Sequence, residues 1–368
     1  MAGFEPPVYP YERLAGVKAV AEALPGGLVD LSIGTPCDPP ADEVVAALST
    51  SGAERGYPAS IGSDRFRAAA SGWLARRFGV SVGESQVAAC VGTKEFVGTL
   101  PQWLRLRTPE RDTILYPAVS YPTYEMGAIL AGCRAVPVAV DERFRPDLSS
   151  VSAADAGRAL ALWVNSPGNP AGQLDDLAAA AAWGRDRGVP VFSDECYVEF
   201  TWDGPGRTIL ATGADGVVAV HSLSKRSNLA GARVGFYAGD AELVRYLSEV
   251  RKHVGMMVPG PVQAATVLAL DDDDHVAVQR DRYQARLVRF QEVLAKIGVE
   301  APLPGGGFYL WAPVPGGDAW ALTDRLARTG GCLVSPGDLY GAGAGHIRVA
   351  LVQPTERLDL VAERLSAA

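Results

Sequence analysis

From residue 87 onward, short apolar runs alternate with longer stretches of mixed polarity. Residues 87–91, 113–116, 135–140, 159–164, 190–192, 217–220 and 234–238 are continuous and rich in Val, Ile, Leu and Ala, as strands buried on both faces are. Between them a segment opening at Gly92 and running toward Leu104, then 124–130 and 175–187, has helical spacing. Strands separated by helices imply crossover connections, so the pattern predicts an α/β fold with a mainly parallel sheet covered on both sides. Ligands in such folds gather beyond the carboxyl ends of the strands.

Either side of this repeat the pattern is less regular. Residues 13–24, 42–48 and 63–78 read as helices, 29–33 as a short strand, and 34–40 as an irregular loop that its prolines keep out of both element types. Toward the carboxyl end a long helix at 274–297 precedes strands at 308–311, 332–334 and 346–349 and helices at 318–328 and 356–365, a smaller appended α+β domain. The acidic run 271–274 reads as the solvated start of the long helix, where negative charge suits the helix dipole.

Composition narrows the class. With 48% hydrophobic and 21% charged residues, the 368-residue chain is a folded protein of more than one core. A net charge of −8 argues against nucleic acid or an anionic membrane as partner. The first ten residues carry no basic segment followed by an apolar core, and no apolar run has the length of a membrane span, so the expectation is a cytoplasmic protein. Five scattered cysteines, with no Cys-x-x-Cys and no histidine at zinc spacing, point to neither a disulfide framework nor a metal site.

The candidate chemistry lies at strand ends. His221 to Arg233 sits between two apolar strands and presents Lys225 with hydroxyls at Ser222 and Ser224 and a guanidinium at Arg233. That set suits an aldehyde cofactor bearing a phosphate, with the amine forming a Schiff base and the serines and arginine holding the phosphate. Taken alone it is equally a solvated loop with a structural arginine. Gly92-Thr93-Lys94 brings a strand to a helix start, which is an anion site or an ordinary cap. Asn165 to Gly172 is a good turn. Asp194, with Tyr197 three residues on, is a helix cap or a buried anion. Asn169, Asp194, Tyr197 and Lys225 all follow adjacent predicted strands, an arrangement that would let them converge on one small aromatic cofactor.

Asn169-Pro170-x-Gly172, Asp194-x-x-Tyr197, Ser222-x-x-Lys225 and an arginine eight residues beyond the lysine together resemble the ordered signature of fold-type I pyridoxal-phosphate aminotransferases of classes I and II. The resemblance covers nearly the whole chain. Within the family it is nearest to the actinobacterial type of succinyldiaminopimelate aminotransferase, through 193–197, 222–231, 251–259 and 334–338. It implies a large domain at 41–272, with a mainly parallel seven-stranded sheet between helices, and a small α+β domain made of 273–368 and the segment 1–40. It also implies pyridoxal 5'-phosphate as cofactor, and amino acids and 2-oxo acids as substrates.

By the same resemblance Lys225 carries the cofactor and moves a proton, and Asp194 pairs with the pyridine nitrogen. Tyr197 and Asn169 bond the ring's phenolic oxygen and Tyr121 stacks on the ring. Gly92, Thr93, Lys94, Ser222, Ser224 and Arg233 surround the phosphate. Tyr57 reaches in from the second subunit of a homodimer with a shared site. Arg348, with Gly34 and Asn169, receives the substrate, the arginine as a bidentate clamp for its α-carboxylate; without the other motifs Arg348 reads as a strand-edge surface residue.

Some positions depart from the family pattern. Gly168 and Ala171 stand where Ser and Thr are usual, Ala232 where Tyr is expected, and Gly260 in place of an alanine; Gly305 to Gly307 is unusually bare. These changes leave room for a larger substrate or are neutral. The leading expectation is transfer of an amino group between N-succinyl-LL-2,6-diaminopimelate and 2-oxoglutarate. The alternatives are a diverged enzyme that uses the substrate carbanion for elimination, replacement or carbon–carbon bond formation on an amino acid such as S-adenosylmethionine, and a cofactor-binding regulator.

Overall fold

The computed structural model describes residues 3–367. Its strands are β1 (Val29–Asp30), β2 (Val87–Cys90), β3 (Thr113–Pro117), β4 (Arg134–Val138), β5 (Ala159–Asn165), β6 (Val191–Asp194), β7 (Val217–Ser222), β8 (Gly235–Gly239), β9 (Tyr309–Pro313), β10 (Cys332–Leu333), β11 (Ser335–Pro336) and β12 (His346–Ala350). Strands β2 to β8 make one seven-stranded sheet in the order β2-β8-β7-β6-β5-β3-β4. Strand β8 runs antiparallel to both neighbours and the remaining pairs are parallel. The amino end of β8 therefore shares an edge with the carboxyl ends of β2, β3, β5, β6 and β7.

Alternate residues of each strand point to opposite faces, which is why these runs are apolar throughout. Val87, Ala89, Leu162, Val164, Val217 and Ala219 belong to one core with Phe66, Trp73 and Trp183 of the helices Asp64–Phe78 and Leu177–Arg187. Ala88, Cys90, Ala161, Trp163, Val218 and Val220 belong to the other, with side chains of the helices Thr93–Arg107, Thr123–Leu130 and Ala241–His253.

The chain divides into two compact units, one comprising Met1–Gly34, Tyr283–Pro304 and Phe308–Ala368, the other Thr35–Arg282 and Gly305–Gly307. The division falls at 34 and 282 rather than at 40 and 272. Side-chain bonds account for the later boundary: in the long helix Asp274–Lys296, Gln279 donates to the Asp38 carboxylate (2.8 Å) and Arg280 to the Glu199 carbonyl (2.6 Å), which ties its first turns to the sheet unit.

In the smaller unit β1 pairs with β10 in parallel, and β11, β12 and β9 form an antiparallel sheet. Of the run 332–334 only Cys332–Leu333 is strand, β10; the chain changes partner at Val334 and continues as β11. Strand β1 is shorter than the run 29–33, since the Asp30 carboxylate accepts from the Ser32 N–H and hydroxyl and turns the chain there.

Three helices outside the motifs lie where the pattern assigns none: the short Ala153–Arg158 and two longer ones. Ala241–His253 is capped by Asp240, whose carboxylate accepts from the Glu242 and Leu243 N–H groups, and Gly260–Asp271 begins after Pro259. The acidic run is also more than a solvated start. Asp273 pairs with Arg76 (2.7 Å) and with the buried Arg226 (3.2 Å), and Asp272 caps the long helix and bonds His275. Among the described residues no helix is long and apolar enough to cross a membrane.

Candidate active site

Strand register brings the candidate residues to one edge of the sheet. Asn165 lies opposite Asp194, Asp194 opposite Val220, and Ser222 and Cys90 each opposite Gly235. The four-residue helix Leu223–Arg226 follows β7 directly and carries Ser224 and Lys225. Because β8 is reversed, Arg233, two residues before it, arrives at this same edge.

Asp194 is buried and its carboxylate is held at both oxygens. Oδ1 accepts from the Cys196 N–H (3.2 Å) and Oδ2 from the Tyr124 hydroxyl (2.9 Å). Burial raises its pKa, while the bonds from Cys196 and Tyr124 and the charge of Lys225 act the other way. Lys225 is half-buried on that short helix, and its positive charge favours the anionic form of both Asp194 and the Cys196 thiol. Asn169 and Tyr197 are buried beside these strand ends, and Tyr121 is half-buried.

The helix Thr93–Arg107 starts at Gly92 with no side-chain cap, so the positive end of its dipole is not met by a capping side chain. Gly92, at φ +78, precedes it, and a Cβ there would stand 2.4 Å from Arg233 Nη2. The guanidinium thus lies across the glycine, aimed by an Arg233 backbone in the left-handed region (φ 54). Ser222 Oγ accepts from the Ser224 N–H (3.1 Å), leaving its own proton for another acceptor, and Thr93 Oγ1 meets Cys196 Sγ at 3.3 Å. Lys94 is exposed. Tyr57 is 99% exposed in the single chain.

Two candidates belong to the other unit. Arg348 on β12 is 1% exposed, its guanidinium between the rings of Tyr309 (4.3 Å) and Tyr340 (4.7 Å), with an Nη2 bond to the Ser32 carbonyl. It is a buried cation, not an edge arginine. Gly34 is pressed under Tyr309, whose hydroxyl would lie 1.9 Å from a Cβ.

Two residues of this edge escape the sequence motifs. Buried Asn165 donates to the Asp194 carbonyl (2.8 Å) and accepts from the Asn169 N–H (2.8 Å), so one side chain sets both neighbours. Tyr124, three residues after Tyr121, supplies the donor on Asp194. Its only sign in the sequence is a tyrosine in the first turn of a helix that follows β3.

Three of the bare positions are filled. A Cβ on Gly168 would stand 2.0 Å from the Gln173 amide, one on Gly306 2.4 Å from Pro167, and one on Gly260 2.3 Å from the Ala53 carbonyl. Neighbouring atoms occupy the vacated volume, so these three glycines do not enlarge the site.

The sequence profile of the class I and II aminotransferases matches residues 27–365. The chain belongs to this family. Among curated relatives of this aminotransferase, a probable aminotransferase of Mycobacterium tuberculosis is 42% identical over 98% of this chain and 85% of its own length. The 4-dedimethylamino-4-oxo-anhydrotetracycline transaminase OxyQ of Streptomyces rimosus is 41% identical, covering 98% and 99%. A solved structure, the probable N-succinyldiaminopimelate aminotransferase of Thermus thermophilus, superposes with a TM-score of 0.87 at 30% identity, over 97% of this chain and 99% of that one.

The family depends on pyridoxal 5'-phosphate, and this aminotransferase is a pyridoxal-phosphate enzyme of fold type I. The donor set fits the cofactor: a buried carboxylate for the pyridinium, and an uncapped helix start with a guanidinium and hydroxyls for the phosphate.

Proposed function

We propose that the enzyme exchanges an amino group between glutamate and the 2-oxo acid corresponding to N-succinyl-LL-2,6-diaminopimelate, acting as a cytoplasmic homodimer. The observation that carries the reaction class is the convergence of Asp194, Lys225 and Arg233 on one sheet edge, Asp194 and Lys225 at the ends of the paired strands β6 and β7 and Arg233 over Gly92. The substrate reading is supported by the likeness to the Thermus thermophilus enzyme and by filled glycine positions that add no room for a bulkier molecule. The exposed ring of Tyr57 supports its use by a second subunit.

In this reading Asp194 holds a proton on the pyridine nitrogen, and Tyr197 and Asn169 bond the phenolic oxygen. Arg233, Ser222, Ser224 and the N–H groups that follow Gly92 hold the phosphate. When bound, pyridoxal phosphate supplies an electron sink for the pair released as the substrate Cα–H bond breaks. Lys225 Nζ takes that proton and returns it, as base and then acid. Arg348, its plane fixed between two tyrosine rings, receives the α-carboxylate through parallel N–H bonds.

The 41% likeness to OxyQ favours a second reading, transamination of a polycyclic ketone. A panel of acceptors offered to the glutamate-reduced enzyme separates the two. The first predicts a kcat/KM for the succinylated oxo acid at least ~100-fold above that for a tetracycline-type ketone, a margin of about 2.7 kcal/mol. The opposite order would overturn the substrate assignment and leave the reaction class standing.

A further inference from the structure

We propose that Tyr124 is a positioning residue for Asp194: its buried phenol holds the carboxylate ionised and aims it at the pyridine nitrogen. The inference rests on the proposed transaminase reading and adds to it a residue outside the family motifs.

Tyr124 is wholly buried, and its ring is fixed before any ligand enters. It stacks on Trp163 at 5.2 Å and 29°, and it receives the edge of Tyr121 at 6.1 Å. Trp163 in turn packs on Phe192, a β6 residue two positions before Asp194. The Tyr124 N–H bonds the Tyr121 carbonyl (3.2 Å), so the tyrosine expected on the cofactor face and the one beneath Asp194 are set by one turn. The phenol oxygen thus has little freedom, and it meets Asp194 Oδ2 at 2.9 Å.

The Cys196 N–H and thiol, on the segment after β6, also bond Asp194, and the charge of Lys225 on the helix Leu223–Arg226 favours its anion, while Asp194 itself, after burial, raises the pKa of the neighbouring Glu195 and of Cys90 at the end of β2. The Asn165 amide reaches only the Asp194 main-chain carbonyl. Each carboxylate oxygen accepts at two sites, so after Cys196 and Tyr124 are served a position remains for a pyridinium N–H.

The direction of this effect follows from the chemistry. Burial favours the neutral carboxylic acid, and a hydrogen bond donated to the carboxylate favours the anion. Burial and the neighbouring charge of Asp194 also push the Tyr124 phenol well above its ordinary pKa, so it keeps its proton and acts only as a donor. A neutral Asp194 would have no charge with which to hold the ring nitrogen protonated. Tyr124→Phe keeps the ring and its stacking but deletes the donor, and it leaves Oδ2 short of a partner in a buried site.

The test compares two cofactors on apo-protein. Pyridoxal phosphate has a basic ring nitrogen; its 1-deaza analogue has carbon there and no use for Asp194. Affinities are measured by absorbance titration across pH for wild type and Tyr124→Phe, with thermal unfolding as a check of folding. The expected result is an affinity for pyridoxal phosphate about 10- to 100-fold lower in the variant, the range for one hydrogen bond to an ionised group, with the acid limb moved to higher pH. Affinity for the analogue should be unchanged. Equal weakening toward both cofactors, which a merely structural tyrosine would give, or no weakening toward either, would overturn the proposal.

In an Asp194→Asn background the added Tyr124→Phe change should have no further effect on pyridoxal phosphate binding, and an undiminished effect there also contradicts it. These outcomes concern binding alone. A failure of wild-type enzyme to transfer an amino group would count against the proposed function and is read in a different assay.

Discussion

His221 shows how closely this site is bounded by residues that take no part in it. It is the next-to-last residue of β7, one before Ser222, yet its ring lies in an aromatic box of Trp73 (5.0 Å), Phe78 (6.5 Å) and Phe236 (4.9 Å). Burial pushes its pKa down to about 3 and that of the neighbouring Glu195 up to about 7. The 3.5 Å contact between them is therefore a contact of neutral groups over most of the acid range rather than an ion pair. Below about pH 6.5 the unfolded chain protonates this histidine while the folded one does not, so His221 costs stability as pH falls, at up to about 1.4 kcal/mol per pH unit. Glu195 has the opposite sign, and its contribution is lost as pH rises through about 7. We expect His221→Phe, which keeps an aromatic ring in the box, to remove the histidine slope. Denaturant unfolding of wild type and variant from pH 7 to 4 measures it as a difference that leaves Glu195 in common. Parallel profiles would contradict the assignment.

At the scale of elements, glycines mark where backbones touch. The helices Gly260–Asp271 and Asp42–Thr50 lie in the same unit, and Gly260 faces the Ala53 carbonyl in the chain that follows the second of them. Gly260→Ala would improve helix propensity by at most ~1 kcal/mol, and less at the first position of a helix. The 2.3 Å approach to a carbonyl oxygen outweighs that gain, with a cost of ~1–3 kcal/mol for overpacking against backbone. Calorimetry of the apo-protein should show a Tm lower by a few degrees; an unchanged or higher Tm would mean the contact is loose.

The same reasoning marks what the sequence makes legible. Strands β2, β3 and β5 to β8 are visible as apolar runs because they are buried along their whole length, and the edge strand β4, with Arg134 and Pro137 exposed, is visible through its remaining Ala and Val residues. Motifs at strand ends are visible too, since Asp194, Lys225 and Arg233 stand at short, fixed distances from those runs. The helix Ala241–His253 is not, because its polar face carries Arg, Glu, Lys and His, and its stop and start rest on Asp240 and on packing. Tyr124 and Asn165 are not, because their importance lies in which partner they touch across strands, and a sequence records spacing along one chain. The open volume suggested by Gly168 and Gly306 has the same cause: the atoms that fill it, Gln173 and Pro167, are known to be there only once the turn is folded.

For the whole molecule, a reversed β8 within an otherwise parallel sheet is the feature that assembles the chemistry. It brings Arg233 to the edge where β2, β6 and β7 deliver the helix start, the carboxylate and the lysine. The proposed chemistry rests on Lys225 as the group that holds the cofactor and moves the proton. The most direct measurement is a single half-reaction: holoenzyme is mixed with glutamate in the absence of any acceptor, and cofactor absorbance and 2-oxoglutarate are followed together. The expected result is loss of the aldehyde form of the cofactor, release of 2-oxoglutarate in equal amount, and neither event in Lys225→Ala. Glutamate consumed without 2-oxoglutarate, or the same conversion in Lys225→Ala, would contradict it.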